Sequence, residues 1–172
     1  MSQHGALVEV HGVGVLLLGR SGVGKSECAL ELVGRGHRLV ADDVVQLERT
    51  DAGELYGSAP DRIRHHMEIR GLGIICVPAL FGPDSVRDRA RIDLVCRLES
   101  WQEGVEYERL GLDARRELLL GVSLPCLTLP ARPGGSMATV VDVAAREHLQ
   151  RCSGRVAARE LDQRLRREMG QP

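Results

Sequence analysis

The sequence predicts an α/β domain, a P-loop nucleotide-binding fold with a mixed sheet around a P-loop helix and two C-terminal helices. Three observations carry that expectation. Gly19-Arg20-Ser21-Gly22-Val23-Gly24-Lys25-Ser26 fits the phosphate-binding pattern G-x-x-x-x-G-K-[ST] at every position. The apolar run Val13 to Leu18 leads in as a buried strand, and Cys28, Ala29, Leu32 and Val33 follow on one face of a helix. Beyond them, short extended stretches are spaced along the chain until two Arg-rich helices close it.

The physics of the central loop is direct. Glycines let the backbone curl so that successive N–H groups point at one anion. The helix that begins near Lys25 adds the positive end of its dipole. Lys25 supplies a full charge and Ser26 a hydroxyl ligand for Mg²⁺. Lys25 is the only lysine of the chain, whose other strongly basic side chains are all arginine. A compact ammonium meets a point-charge requirement that a planar guanidinium meets poorly.

Taken in order, Ala6 to Val10 and Val13 to Leu18 read as two strands joined by a tight turn at His11-Gly12. The P-loop helix runs to about Arg35, with Gly34 and Gly36 as its stop. His37 to Ala41 is a short buried strand that ends in Asp42 and Asp43, and Val44 to Leu47 continues extended. Asp51-Ala52-Gly53 is a turn, and Pro60 to His66 suits one or two helical turns. Glu68 to Gly73 is a polar, glycine-broken loop before a strand at Ile74 to Val77. Ser85 to Arg91 is charged and exposed, Ile92 to Leu98 is a strand, and Trp101 to Asp113 is polar and irregular. Leu118 to Leu129 is apolar and extended, punctuated by Pro125. Ser136 caps a helix to about Cys152, Gly154 breaks it, and Ala157, Leu161, Leu165 and Met169 mark a last helix, giving a helical segment of about 136–169.

Composition narrows the function. A chain of 172 residues is read as one domain, 1–172, with a real core. Its aromatics are only Tyr56, Phe81, Trp101 and Tyr107, which argues against base-stacking recognition of nucleic acid. A net charge of −1 provides no long-range field for DNA or an acidic membrane. Cys28, Cys76, Cys96, Cys126 and Cys152 are scattered, with no C-x-x-C spacing. They read as reduced, mostly buried side chains of a cytoplasmic protein, with no disulfide or zinc framework. No secretory leader and no membrane-spanning run is visible. The mixed charges of the last two helices favour a solvated face or a subunit contact over a nucleic-acid surface.

Phosphoryl transfer needs more than a P-loop: a group to handle the nucleophile and a completed metal site. Asp42 and Asp43 end the strand after the P-loop helix, and strand carboxyl ends face the ligand crevice in an open α/β sheet. Neighbouring strand residues point to opposite faces, so one of the two is directed at the phosphates. A carboxylate there binds Mg²⁺ or takes a proton from a hydroxyl; the pair is also compatible with a cap or turn. Glu68 and Arg70 flank a glycine-broken loop that suits a ligand or an ordinary surface turn. Arg109 and Arg132 suit phosphate or solvent alike. His4, alone near the terminus, reads from the sequence as incidental.

These residues together resemble the HPr kinase/phosphorylase family, its catalytic domain, from His4 to about Met169. Three blocks carry the match: His4-Gly5 through Gly12-Val13-Gly14-Val15 to Ser26-Glu27; Arg35 to Asp43; and Glu68-Ile69-Arg70-Gly71-Leu72-Gly73-Ile74-Ile75, which is similar to the family signature. Tyr107 to Gly111, Pro130 to Gly134 and Val143-Ala144-Ala145 match more weakly. The resemblance implies a nucleotide- and Mg²⁺-dependent kinase for a serine of HPr, the small phosphocarrier of the bacterial sugar phosphotransferase system. It implies the reverse step as well, with inorganic phosphate consumed and pyrophosphate released. By matching position, Lys25 holds the β-phosphate, Ser26 and Glu68 the metal, Asp43 is the general base and acid, His4 joins the active site, and Arg109 stabilises the transferring phosphate. A homo-oligomer, hexameric in the family, and ATP as cofactor are also implied. A nucleotide- or phosphate-sensing module and a small-molecule P-loop kinase are the alternative readings. Three departures stand out. The family's usual chain has a further domain ahead of this one, which reads as a short natural form or a truncation. Gly135 stands where a basic residue is usual, in a segment associated with dephosphorylation. Cys76 stands where Asn is common.

Overall fold

The computed structural model describes residues 1–107, 115–132 and 134–169. In chain order the strands are β1 Ser2–His4, β2 Ala6–Val10, β3 Val13–Gly19, β4 Arg38–Ala41, β5 Val44–Arg49, β6 Leu55–Ser58, β7 His66–Ile69, β8 Gly73–Cys76, β9 Arg89–Arg91, β10 Leu94–Ser100, β11 Arg115–Leu119 and β12 Val122–Ala131. The helices are α1 Lys25–Gly34, α2 Val77–Phe81, α3 Met137–Cys152 and α4 Ala157–Glu168, with a 3₁₀ turn at Pro83–Ser85. None of the described helices is long and apolar enough to cross a membrane.

Two sheets share the core. The six-stranded sheet has the order β11-β12-β10-β3-β2-β4. In it β12, β10 and β3 run parallel, while β2 is antiparallel to both β3 and β4 and β11 is antiparallel to β12. β4 therefore runs with β3, and four strands deliver their carboxyl ends to one side. A four-stranded antiparallel sheet, β1-β5-β6-β9, packs across one face, and α1 and α3 cover the other. Covering both faces explains the unbroken apolar runs. Along β3, Val13, Val15 and Leu17 join the helix-side core, and Leu16 and Leu18 the sheet-side core. In β10, Leu94, Cys96 and Leu98 likewise face the helices and Val95 the second sheet.

Glycine allows the close approach of the two sheets. A Cβ at Gly14 would lie 1.7 Å from the Arg91 carbonyl oxygen, and one at Gly57 would lie 2.5 Å from the Leu7 side chain. The Gly14 N–H donates to Asp93 Oδ2 at 3.0 Å, and its carbonyl accepts from Asp93 N at 2.9 Å.

Several local expectations change. Within Pro60 to His66, Asp61 to His65 form consecutive turns, not helix, and His65 at φ 64 turns the chain so that His66 begins β7. Glu68 belongs to a strand: β7 and β8 make a hairpin, with Gly71 and Gly73 in the left-handed region. The apolar run after Leu118 splits into β11 and β12 at Leu120 and Gly121, both at positive φ. The break after β4 is sharper than continued extension, since Asp43 has φ 66 and β5 joins the other sheet. Ser136 caps α3 as expected, its hydroxyl accepting from Thr139 N at 3.2 Å. The cysteines are free; Cys28, Cys96 and Cys126 are buried, and burial pushes the Cys28 thiol up to about 12. α4 buries none of its residues, and its Leu161 and Leu165 stay exposed.

Candidate functional site

β3 delivers the chain to Gly19 at the carboxyl side of the sheet. A Cβ there would lie 2.4 Å from the Leu98 carbonyl oxygen, so the turn passes β10 only as glycine. Gly22 and Gly24 take φ 80 and φ 100, conformations an L side chain resists, and Gly24 caps α1. The loop Gly19-Arg20-Ser21-Gly22-Val23-Gly24 thus ends at an open helix N-terminus, where free amide groups and the dipole favour an anion.

Lys25 is the buried residue of this loop, 7% exposed. Its Nζ donates to the carbonyls of Gly19 at 2.9 Å and Arg20 at 3.0 Å. Burial lowers its pKa, opposed by the carboxylates of Asp42 and Asp43. Ser26 donates its hydroxyl to Asp42 Oδ1 at 2.9 Å. Asp42 is buried, and desolvation raises its pKa against the pull of that hydrogen bond.

Asp43 is placed otherwise. Its left-handed conformation turns it out of the strand line, and its Oδ1 lies 3.2 Å from His4 Nδ1, both side chains at least half exposed. The two aspartates diverge because of this backbone turn, not because of strand alternation. β1 carries His4 beside β5, pairing His4 with Val44, so the first residues of the chain reach the site through the second sheet.

One pocket collects His4, Ser21, Gly22, Gly24, Lys25, Ser26, Glu27, Asp42, Asp43, Glu68 and Arg70. Glu68 and Arg70 arrive from the β7–β8 hairpin, and the Arg70 guanidinium stands over Gly22. Glu27 is the lining residue that sequence reasoning missed as a site. Its signal was a carboxylate in the first turn of α1, directly after the P-loop serine. Arg132 does not line this pocket; its guanidinium stacks 3.9 Å above the Trp101 ring, where β10 and β12 end. Arg109 lies outside the described residues.

The pocket's donors suit a metal–phosphate complex. Two hydroxyls, four carboxylates and a buried ammonium line it beside the backbone of the glycine loop, and hard oxygen ligands are what Mg²⁺ takes.

The comparisons agree with this geometry. The model of the HPr Serine kinase C-terminal domain matches residues 1–165. The HPr kinase/phosphorylase of Caldanaerobacter subterraneus subsp. tengcongensis is 53% identical over 167 residues, 97% of this chain and 55% of its own length. That of Geobacter sulfurreducens is 52% identical over 162 residues, 94% of this chain and 51% of its length. The chain thus spans about half the length of the curated relatives it matches. The solved structure of the Hpr(Ser) kinase/phosphatase from Coxiella burnetii superposes with a TM-score of 0.82 at 33% identity, covering 90% of this chain and 93% of that one. With a family model over nearly its whole length and the P-loop, paired aspartates and signature hairpin meeting in one pocket, the chain belongs to the family of the HPr serine kinase C-terminal domain.

Proposed function

We propose that this domain is a nucleotide- and Mg²⁺-dependent kinase that transfers the γ-phosphoryl of ATP to a serine of HPr or an HPr-like phosphocarrier. The observation that carries the reading is the division of two adjacent carboxylates. Asp42 is buried on the Ser26 hydroxyl, while Asp43 stands exposed against His4 in the same pocket. Phosphoryl transfer asks for both: a carboxylate on the metal and another that receives the hydroxyl proton.

Lys25 leaves its carbonyl partners to meet the β-phosphate, while the amides of the glycine loop hold the rest of the anion. Ser26, Asp42 and Glu68 are the groups that would hold Mg²⁺, which supplies charge neutralisation for the phosphates. Asp43 accepts the serine proton, and His4 orients its carboxylate. Arg70 closes the pocket from the hairpin side, and Arg109 takes the role the family gives it on the transferring phosphate. The reverse reaction, phosphorolysis by inorganic phosphate to give pyrophosphate, needs cations to gather two anions at one place. Arg132 stacked on Trp101 and glycine at position 135 leave fewer of them here, which supports a kinase stronger than the phosphorylase. The exposed apolar residues of α4 support a homo-oligomer as in the family, and the free cysteines suit a cytoplasmic setting.

The test is incubation with ATP labelled at the γ-phosphate, Mg²⁺ and a sugar-type or nitrogen-type phosphocarrier, followed by mapping of the label. Label on a carrier serine is the expected result. Label that stays in ATP with both carriers, or moves to a small molecule, overturns it.

A further inference from the structure

At the opposite end of the same strands, three side chains from three separate elements meet. His11 sits in the β2–β3 turn, His37 between α1 and β4, and Asp142 in the second turn of α3. Asp142 Oδ2 lies 3.2 Å from His11 Nε2 and 3.0 Å from His37 Nε2. One ligand atom of each residue lies within 4.8 Å of the other two. The two imidazoles meet edge to face, with centroids 4.6 Å apart. The side chains are 28%, 10% and 17% exposed, in the order His11, His37, Asp142.

We propose that His11, His37 and Asp142 form a binding site for a divalent cation of the zinc class, separate from the phosphate pocket. Two imidazole nitrogens and one carboxylate oxygen are a donor set that suits Zn²⁺, Co²⁺ or Ni²⁺ and not Mg²⁺. Around a tetrahedral zinc, neighbouring ligand atoms stand about 3.4 Å apart, given metal–ligand bonds of about 2.0–2.2 Å. The two nitrogen–oxygen separations are within a few tenths of an ångström of that value. Loading the site then asks the imidazoles to close toward each other while each stays beside the carboxylate.

The surroundings complete the case. Arg146 Nε donates to the other carboxylate oxygen, Asp142 Oδ1, at 2.7 Å. That contact fixes the orientation of the carboxylate, as outer partners of metal ligands do. Among the described residues neither His11 Nδ1 nor His37 Nδ1 has a hydrogen-bond partner, so each ring can carry its proton there and offer Nε2 to a metal. Three protein ligands leave one position for water. The ion ties α3 to the hairpin that leads into the P-loop and to the strand that leads to Asp42, and its role is to fasten the helical segment to the nucleotide-binding sheet.

The probe is Co²⁺, then Zn²⁺, titrated into the purified protein with Mg²⁺ in excess to fill the phosphate pocket. One equivalent of Co²⁺ should bind with micromolar affinity and give visible d–d absorption without thiolate charge-transfer bands. His11→Asn is the decisive variant: His11 has φ 53, which Asn tolerates, so the turn is kept. It and Asp142→Asn should each weaken binding by tenfold or more, while Cys152→Ser leaves it unchanged. Saturating Zn²⁺ should raise the Tm of the parent and leave that of His11→Asn nearly unmoved. Binding only at millimolar metal, parental affinity in both ligand variants, or loss of binding with Cys152→Ser in place of His11→Asn would overturn the assignment.

Discussion

The two ends of the six-stranded sheet carry similar side chains and treat them in opposite ways. At the amino end of β3, His11 and His37 close on Asp142, Arg146 closes on the same carboxylate, and Gly14 locks to Asp93. At the carboxyl end, Asp43 and His4 touch but remain at least half exposed, and Glu68 and Arg70 line the pocket from an exposed hairpin. Lys25 there donates to two backbone carbonyls. The polar groups at the first end converge on Asp142 and Asp93 and fasten segments together. Those at the second end are held apart by glycine turns and one left-handed aspartate, so their bonding capacity stays available to a ligand.

The largest effect belongs to the open end. Asp43→Asn should slow phosphoryl transfer by roughly 10²–10⁴ and leave nucleotide affinity near the parental value, because a general base acts on the reaction and not on binding. Rate measurement beside calorimetry separates the two. Equal loss of both would make Asp43 a binding residue and erase the distinction between it and Asp42.

Lys25→Ala comes next. It should weaken ATP binding by about tenfold to a few hundredfold, one to a few kcal/mol of charge-assisted bonding. Calorimetry that gives equal affinity for variant and parent would remove the P-loop assignment.

The closed end predicts stability effects in place of functional ones. Gly14→Ala forces a methyl against the Arg91 carbonyl, which is backbone and cannot step aside, and should cost about 3 kcal/mol or more. Gly36→Ala, with open space around it and φ 92, should cost only the left-handed penalty of about 1–2 kcal/mol. Denaturant unfolding of the pair tests whether packing or backbone strain dominates at that end; equal destabilisation of both variants would remove the packing argument for Gly14.

The smallest effect is a pH dependence. Burial lowers the pKa of Lys25, and phosphate binding favours its charged form, so binding takes up a proton at alkaline pH. Affinity should fall as pH rises through that lowered value, by at most about tenfold per pH unit for one proton. Lys25→Arg keeps its charge throughout and should show a flat profile, whatever its absolute affinity. A flat parental profile up to the ordinary lysine range would show that burial does not perturb Lys25.

Much of the open end was legible because local sequence dictates it. The strand, glycine loop and helix from Val13 to Val33 need only neighbouring residues, and so do the His11-Gly12 turn and the Ser136 cap. Conformations set by distant packing were not legible. His65 and Asp43 adopt left-handed backbone without being glycine, so Pro60 to His66 passed for helix and Asp42-Asp43 for the end of a straight strand. Glu68 read as loop because Gly71 and Gly73 break the pattern, yet they make the turn that lets two short strands pair. His4 carried no sequence signal of its own; only the resemblance pointed to it, and β1–β5 pairing shows how it gets there. The His11, His37 and Asp142 cluster spans three segments, the last two 105 positions apart, and no local pattern announces it. Arg132 was legible as a cation but not as a partner of Trp101, since that contact depends on where β10 and β12 end.

The central claim is that two adjacent aspartates divide the metal and proton roles. It is tested most directly by the Mg²⁺ dependence of γ-phosphoryl transfer to a carrier serine, measured for the parent, Asp42→Asn and Asp43→Asn. Asp42→Asn should require more Mg²⁺ and recover much of its rate when Mg²⁺ is raised. Asp43→Asn should show the parental Mg²⁺ requirement and a low rate that no Mg²⁺ concentration restores. Rescue of Asp43→Asn by Mg²⁺, with Asp42→Asn insensitive to it, would contradict the account.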